Sequence, residues 1–214
     1  GGSAMTETID LDRLAGLLRD RSAKGRIIAA IAGAPGAGKS TVAEKLVASL
    51  NAGAPGTAAL LPMDGYHYDD IYLVPSGLRP RKGAPETFDV GGLRATLARL
   101  KARDEETVAV PVFDRDIEIA RAGARLIPQS VRVIVAEGNY LLLSRAPWTG
   151  LRPYFDTTVF GDVPEAELRR RLTARWTHYE LSPAEMAEKL DGNDLPNARL
   201  VIAESAPAEF RLPN

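Results

Sequence analysis

The segment from Gly33 to Ser40 fits the pattern G-x-x-x-x-G-K-[ST], which is typical of a phosphate-binding P-loop. Its three glycines allow positive φ angles and lack the Cβ atoms that would keep the backbone away from an anion. Lys39 supplies a mobile charge for the β- and γ-phosphates, and the Ser40 hydroxyl is placed to ligate Mg²⁺. The pattern predicts a nucleoside triphosphate site whose contacts come from Gly33, Ala34, Pro35, Gly36, Ala37, Gly38, Lys39, Ser40 and Thr41.

Two acidic residues follow apolar runs that we interpret as buried strands. Asp64 follows Ala58–Met63, and Glu137 follows Val131–Ala136. Because the carboxyl ends of parallel strands meet at one edge of a sheet, both carboxylates should lie beside the P-loop. Glu137 is a candidate Mg²⁺ ligand, the alternative being a surface acid at a strand end. Three roles are open for Asp64: it could bind Mg²⁺, act as a general base, or simply be a turn residue. We favour the base, because an alcohol loses its proton when it is phosphorylated.

Several other side chains are candidates for completing such a site. Arg171 and Arg175 are spaced i, i+4 on a predicted helix, where an arginine can offset charge on a transferred phosphoryl group. The stretch Gly65–Ala84 is too long for an ordinary connection, and such loops are usually functional or disordered. Its candidate acceptor-binding residues are Tyr66, His67, Arg79 and Lys82. A solvated basic loop is the alternative interpretation for the last two.

Strands that alternate with helices must position these residues. The apolar runs predict five strands, at 27–32, 58–63, 131–136, 157–160 and 199–203. Periodicity and caps predict helices at 9–20, after Lys39, from Asp89 to Leu100, around 168–175, and from Ser182 to about Leu190. We expect a loop at 51–56, and a small hairpin that pairs 108–113 with 125–128. The pattern is typical of a three-layer α/β/α sandwich with a mostly parallel, five-stranded sheet.

Composition limits the classes of protein that fit. The chain has 214 residues, 45% hydrophobic and 26% charged, with a net charge of −1 and no cysteine. The charge gives no electrostatic case for nucleic acid or an anionic membrane, and no apolar run approaches the ~20 residues that span a bilayer. We expect a monomer or homodimer in the cytoplasm. A single domain should run from 5 to 214, with an acceptor-binding insertion at 64–128, a candidate lid at 164–192, and a cloning remnant at 1–4.

Taken together, these motifs resemble the P-loop kinases of small metabolites, which include uridine kinase, phosphoribulokinase and bacterial pantothenate kinase. The matching segments run in order along most of the chain: GAPGAGKS at 33–40, PMDGYHYDD at 62–70, RKGAPETFDV at 81–90, VPVFDRD at 110–116, VIVAEGNYLLL at 133–143, and the arginine-bearing segment near 168–175. The nearest resemblance is to a bacterial nucleoside/nucleotide kinase branch, also described as fructokinase-like, which shares NDLPNA at 193–198.

The resemblance implies roles for individual residues. Asp64 would be the catalytic base, Lys39 and Arg171 or Arg175 would stabilise the transferred phosphoryl group, and Ser40 and Glu137 would serve Mg²⁺. The matched segments add Phe88, Asp114 and Arg121 as acceptor-binding candidates, and Asn197 as an adenine-side candidate. The implied activity is an alcohol-group phosphotransferase that uses Mg·ATP.

The acceptor stays open at this point. A sugar such as fructose is the leading hypothesis, with uridine or another nucleoside and pantothenate as alternatives. Uridine kinases carry a histidine and an arginine soon after the segment matching Pro111–Asp114, whereas Arg115–Arg121 here contains no histidine. From other classes, a regulatory NTPase with water as acceptor would leave Asp64 without a role, and a binding-only nucleotide sensor would be expected to have lost Lys39 or Glu137, which are both present.

Overall fold

A computed structural model describes residues 6–214; the predicted remnant at 1–4 lies outside the described residues. The strands are β1 (Glu7–Thr8), β2 (Ile27–Gly33), β3 (Ala58–Pro62), β4 (Thr107–Asp114), β5 (Ile119–Pro128), β6 (Val133–Glu137), β7 (Thr157–Asp162) and β8 (Phe210–Pro213). The α-helices are α1 (Leu11–Arg21), α2 (Lys39–Gly53), α3 (Asp70–Leu73), α4 (Val90–Ala102), α5 (Glu165–His178), α6 (Pro183–Lys189) and α7 (Leu195–Glu204).

Six of these strands form one parallel sheet in the order β1-β8-β7-β2-β6-β3. β2 lies inside the sheet and is buried along its whole length. Ile28 and Ala30 face a core that includes Leu97 of α4, whereas Ala29 and Ile31 face the core of α1 and α2. Helices therefore cover both faces, and the predicted three-layer α/β/α architecture is confirmed.

The predicted hairpin is also confirmed, and it is longer than the sequence suggested. β4 and β5 pair antiparallel from Thr107–Pro128 to Asp114–Ile119, with an irregular register between Val110 and Val112. The hairpin stands apart from the main sheet and packs against the residues that follow β3: the backbone oxygen of Pro111 lies only 2.5 Å from where a Cβ on Gly65 would be.

Three local predictions were wrong. The run at 199–203 is helical and belongs to α7, because its buried residues Leu195, Ala198 and Val201 recur at helical spacing behind a proline in the first turn. Beyond β7 the sheet instead continues with β8 and ends at the two-residue edge strand β1. The helix α2 continues into the predicted 51–56 loop and ends at Gly53. The stretch 65–84 contains α3 and a short 3₁₀ turn at Arg79–Arg81.

Several predicted helix starts are confirmed by their caps. The Asp89 side chain accepts a hydrogen bond from the Gly92 backbone N–H at the start of α4. Ser182 and Glu185 form the reciprocal capping box that opens α6. Within residues 6–214, no helix is both long and apolar enough to cross a bilayer.

Candidate active site

The proposed chemical groups converge at the carboxyl edge of the sheet. Glu137 is the last residue of β6, and it is in register with Ile31 of β2 and Pro62 of β3. The P-loop follows β2 and Asp64 follows β3, so parallel pairing places all three together. They line one cavity of about 690 Å³, whose other walls come from the hairpin, α5 and the start of α7.

The P-loop has the backbone geometry that anion binding requires. Gly36 and Gly38 have φ angles of 85° and 78°, which side-chain-bearing residues adopt only under strain. Gly33, contrary to prediction, does not use positive φ; it ends β2, and a Cβ there would lie 3.1 Å from the Gly161 carbonyl oxygen. Ala34 and Ala37 turn their methyl groups into an apolar cluster, which leaves the loop backbone to face the ligand.

Lys39 and Glu137 are charged groups held out of water at the centre of the site. Lys39 is 8% exposed and donates from Nζ to the Ala34 carbonyl at 3.0 Å. Burial lowers the pKa of Lys39 to about 8, against the opposing pull of the Glu137 charge. Burial, with the nearby charge of Asp64, raises the pKa of Glu137 to about 7. Such desolvation costs free energy that a bound ligand can recover.

Ser40 and Glu137 form the pair that would hold Mg²⁺. The Ser40 hydroxyl donates to Glu137 Oε1 at 3.2 Å, so both oxygens face the same point beside the P-loop. Magnesium in kinases takes one or two protein oxygens and completes its shell with phosphates and water. This donor set fits that requirement. Within the described residues there is no cluster of three or more His, Cys, Asp or Glu side chains able to bind a metal.

Asp64 lines the same cavity, near Glu137 and Lys39. Its carboxylate is 24% exposed, and Oδ2 accepts a hydrogen bond from Arg115 Nη2 at 3.1 Å. The Asp64 backbone carbonyl lies 2.6 Å from Nδ1 of His67, a contact that fixes the turn carrying the carboxylate. Asp64 is thus an accessible carboxylate, with a hydrogen-bonding oxygen turned toward the space between the P-loop and the hairpin.

An aromatic wall lines the part of the cavity where the sequence predicts acceptor binding. The His67 ring lies 4.2 Å from the rings of both Phe88 and Phe113, and it is stacked on the second of these. Burial lowers the pKa of His67, which favours a neutral ring. Lys82 Nζ is held by Asp70 Oδ1 at 2.8 Å and lies 5.7 Å from the Phe113 ring centroid. His67, Phe88 and Lys82 all line the cavity, where the sequence had predicted acceptor-binding residues.

Other predicted acceptor-binding residues lie elsewhere. Tyr66 is a core residue whose hydroxyl donates to Thr96 Oγ1 at 2.6 Å. Arg79 is neutralised outside the cavity lining by Asp70 and Glu118.

A second pair of predicted acceptor-binding residues lies in the hairpin, outside the cavity lining. Asp114 Oδ2 accepts from Arg121 Nε at 3.1 Å, and its Oδ1 accepts from the Asp116 backbone N–H. This pairing shapes the hairpin turn, and neither Asp114 nor Arg121 lines the cavity. The structure therefore does not bring Tyr66, Arg79, Asp114 and Arg121 into the cavity lining, and direct contact of these residues with an acceptor stays a prediction.

The two candidate arginines of α5 occupy different places. Arg175 lines the cavity, is half-buried, and has its pKa lowered by that burial. Arg171 lies behind the P-loop, where Nη1 donates to the Gly36 carbonyl at 3.3 Å and Nη2 to the Asn214 carbonyl at 2.8 Å. Arg175 therefore faces the cavity, whereas Arg171 supports the P-loop.

The NDLPNA segment connects the cavity walls. Asn197 lines the cavity, and its amide donates to Asn193 Oδ1 at 3.0 Å; Asn193 in turn donates to the Lys82 carbonyl at 3.0 Å. Asp194 accepts from Trp176 Nε1 at 2.6 Å, and burial raises the Asp194 pKa. These two hydrogen bonds connect Asn197 to Lys82, which belongs to the segment predicted to bind the acceptor. The sequence analysis had predicted Asn197 on the adenine side.

Sequence reasoning missed several cavity-lining residues. They include Arg115 on the hairpin, Asn139 beyond β6, and Trp176, Tyr179 and Lys189 on the α5–α6 side. The available signal was position: Arg115 lies within the matched segment VPVFDRD at 110–116, and Trp176 is adjacent to Arg175.

Comparison with known proteins gives a consistent result. No family model matches the chain. A crystal structure from Silicibacter sp. TM1040, described as a candidate fructose transport system kinase, is 41% identical; the match covers 97% of this chain and 99% of that one, with a TM-score of 0.86. A candidate uridine kinase of Schizosaccharomyces pombe is 29% identical over 183 residues, which is 82% of this chain and 78% of that protein.

A pantothenate kinase is also similar, over a smaller share of its length. The enzyme of Afipia carboxidovorans is 32% identical over 166 residues, which is 74% of this chain and 52% of the enzyme. The present chain therefore spans about half of that enzyme.

Proposed function

The chain belongs to the P-loop kinases of small metabolites, the family of the uridine and pantothenate kinases, and from this premise we propose that it transfers the γ-phosphoryl group of Mg·ATP to a hydroxyl of a small acceptor. One observation carries the proposal: Lys39, the Ser40–Glu137 pair and Asp64 line the same cavity, with the P-loop on one side and the His67 wall on the other. A nucleotide-binding module alone would have no use for an accessible carboxylate beside its P-loop.

Each residue then has a specific task. The P-loop N–H groups and Lys39 hold the phosphates, and Arg175 offsets the charge that develops on the transferred group. Asp64 takes the acceptor proton as the new P–O bond forms. Magnesium, when bound at Ser40 and Glu137, would neutralise phosphate oxygens. Arg171 supports the P-loop carbonyl at Gly36 and acts indirectly.

The acceptor side is small, partly aromatic and closed by polar groups. Stacking of His67 against Phe113, with Lys82 beside the ring, suits a compact polar molecule with several hydroxyls. Fructose is the first acceptor to test, because the similar structure from Silicibacter sp. TM1040 is described as a candidate fructose transport system kinase. Nucleosides and pantothenate are the next two classes.

The test is ADP release from Mg·ATP, measured against a panel of sugars, sugar derivatives, nucleosides, pantothenate and small hydroxy acids. A kinase should show one chemical class that raises ADP release well above the rate in buffer, together with a phosphorylated product detected by mass spectrometry. If no acceptor raises the rate and ATP is still hydrolysed, a regulatory NTPase would be the better description.

A further inference from the structure

Arg115 is a cavity residue to which the proposed mechanism gives no task. It follows Asp114 at the end of β4, and the hydrogen bonds of Asp114 to Arg121 and to the Asp116 backbone shape the turn that carries it. The exposed Arg115 side chain extends from this turn into the cavity that contains Lys39 and Glu137.

The contact that Arg115 makes leaves most of its hydrogen-bonding capacity unused. Nη2 donates to Asp64 Oδ2 at 3.1 Å, and the arginine side chain is 51% exposed. A guanidinium has five N–H donors in a planar fork, and arginine–carboxylate pairs are often bidentate. Within residues 6–214, the Arg115 side chain makes no hydrogen bond other than this one to Asp64. Its remaining donors are available to a ligand in the cavity.

Among the described residues, five cationic side chains line this cavity, and three of them, Lys39, Arg175 and Arg115, lie close enough to influence one another. Lys39 comes from α2, Arg175 from α5 and Arg115 from the hairpin. The Arg115 charge contributes to lowering the pKa of both Lys39 and Arg175. Mutually repelling cations are stabilised when an anion lies among them, and a transferred phosphoryl group carries its charge on three equatorial oxygens.

We propose that Arg115 is a further catalytic residue, which holds Asp64 before the substrates bind and then, together with Arg175, donates N–H groups to the transferred phosphoryl group. The proposal rests on the proposed kinase function. In the reaction, the acceptor oxygen forms a bond to the γ-phosphorus, the bond from that phosphorus to the β,γ-bridging oxygen breaks, and its electron pair stays on ADP. The acceptor proton passes to Asp64, which Arg115 has released.

The proposal can be tested before the acceptor is known. The probe is Mg·ADP with aluminium fluoride, which mimics the transferred phosphoryl group, compared with Mg·ADP alone by calorimetry. The variants are Arg115→Gln and Arg115→Lys. The control is Arg145→Gln, which removes an arginine that is similarly exposed and pairs with Glu204 outside the cavity.

We expect Arg115→Gln to weaken the aluminium fluoride complex by about 10²-fold while changing the Mg·ADP affinity less than about threefold, as for loss of one preorganised donor. The lysine variant should recover part of the loss, and the control should match wild type. The slow hydrolysis of Mg·ATP by water should fall in the same order, in kcat more than in KM.

A second background separates direct contact from an effect through Asp64. If Arg115 acts only by holding that carboxylate, Arg115→Gln will have no effect on the aluminium fluoride complex when Asp64 is already asparagine. Direct contact predicts that the loss persists there. An unchanged complex, or faster hydrolysis in Arg115→Gln, would overturn the proposal, as would a wild type that binds Mg·ADP but does not respond to aluminium fluoride. A wild type that bound no adenine nucleotide would instead overturn the proposed function.

Discussion

Replacing Glu137 by glutamine should stabilise the nucleotide-free protein near neutral pH while impairing Mg²⁺-dependent catalysis. Glu137 is 6% exposed, and its pKa rises from 4.5 to about 7, chiefly because burial penalises the charged carboxylate. At about 1.36 kcal/mol for each tenfold change in proton affinity, this rise corresponds to roughly 3 kcal/mol at pH values above 7. The substitution removes that cost.

The sign of the pH dependence follows from the two pKa values. Below pH 4.5 the carboxyl is protonated in both the folded and the unfolded protein, so it costs nothing. Between pH 4.5 and 7 the unfolded chain loses the proton first, so the wild-type free energy of unfolding falls as pH rises. Above pH 7 both states are ionised and the cost is constant. Lys39, with a pKa of about 8, is still mostly protonated at pH 7.5 and contributes little in this window.

The assay is urea unfolding of the nucleotide-free protein in EDTA between pH 5.0 and 7.5. The free energy of unfolding of Glu137→Gln, relative to wild type, should increase by about 2 kcal/mol across that range. This cost is already net of the attraction between Glu137 and Lys39, which lowers the pKa of Glu137. Glu44→Gln, an exposed change on α2, is the control. Parallel pH profiles for wild type and Glu137→Gln would refute the claim that this carboxylate is held at a cost.

Two further predictions concern the walls of the site. Arg175→Gln should lower the rate of phosphoryl transfer by about 10²-fold in single-turnover assays, with ATP affinity little changed. Arg171→Gln should instead mainly lower the melting temperature and ATP affinity, because Arg171 supports the Gly36 carbonyl; equal rate losses in both variants would contradict this division. Gly65→Ala would bring a methyl group to 2.5 Å from the Pro111 oxygen, so it should displace the hairpin and raise the acceptor KM several-fold more than the ATP KM. Equal changes in both KM values would refute that prediction.

The sequence was most informative where one physical requirement dominated. β2 and β6 are buried along their whole length, and a short apolar run that precedes a P-loop or a carboxylate indicates such strands. The same logic failed for 199–203, since a short apolar run has no clear period; the burial of Leu195, Ala198 and Val201 on one helical face became visible only in three dimensions.

In the candidate site, too, the sequence predicted the residues that strand ends position but not the direction of side chains in irregular segments. The P-loop, Asp64 and Glu137 follow from parallel strand geometry, because the end of a strand fixes where its next residue lies. Side-chain direction in irregular segments does not follow from sequence. Tyr66 points into the core toward Thr96, while His67 beside it faces the cavity. Arg115 was overlooked because its role depends on how the hairpin packs over Asp64, which no local pattern encodes.

The most direct test of the central claim is the rate of acceptor-stimulated ADP release by Asp64→Asn, with the acceptor that the panel identifies. Asparagine keeps the shape of the side chain but cannot take the acceptor proton. Asp20→Asn, an exposed change on α1, serves as the control. We predict a loss of about 10²-fold or more in kcat for Asp64→Asn, with the Kd for Mg·ATP unchanged. A kcat equal to that of wild type would contradict the assignment of Asp64 as the base.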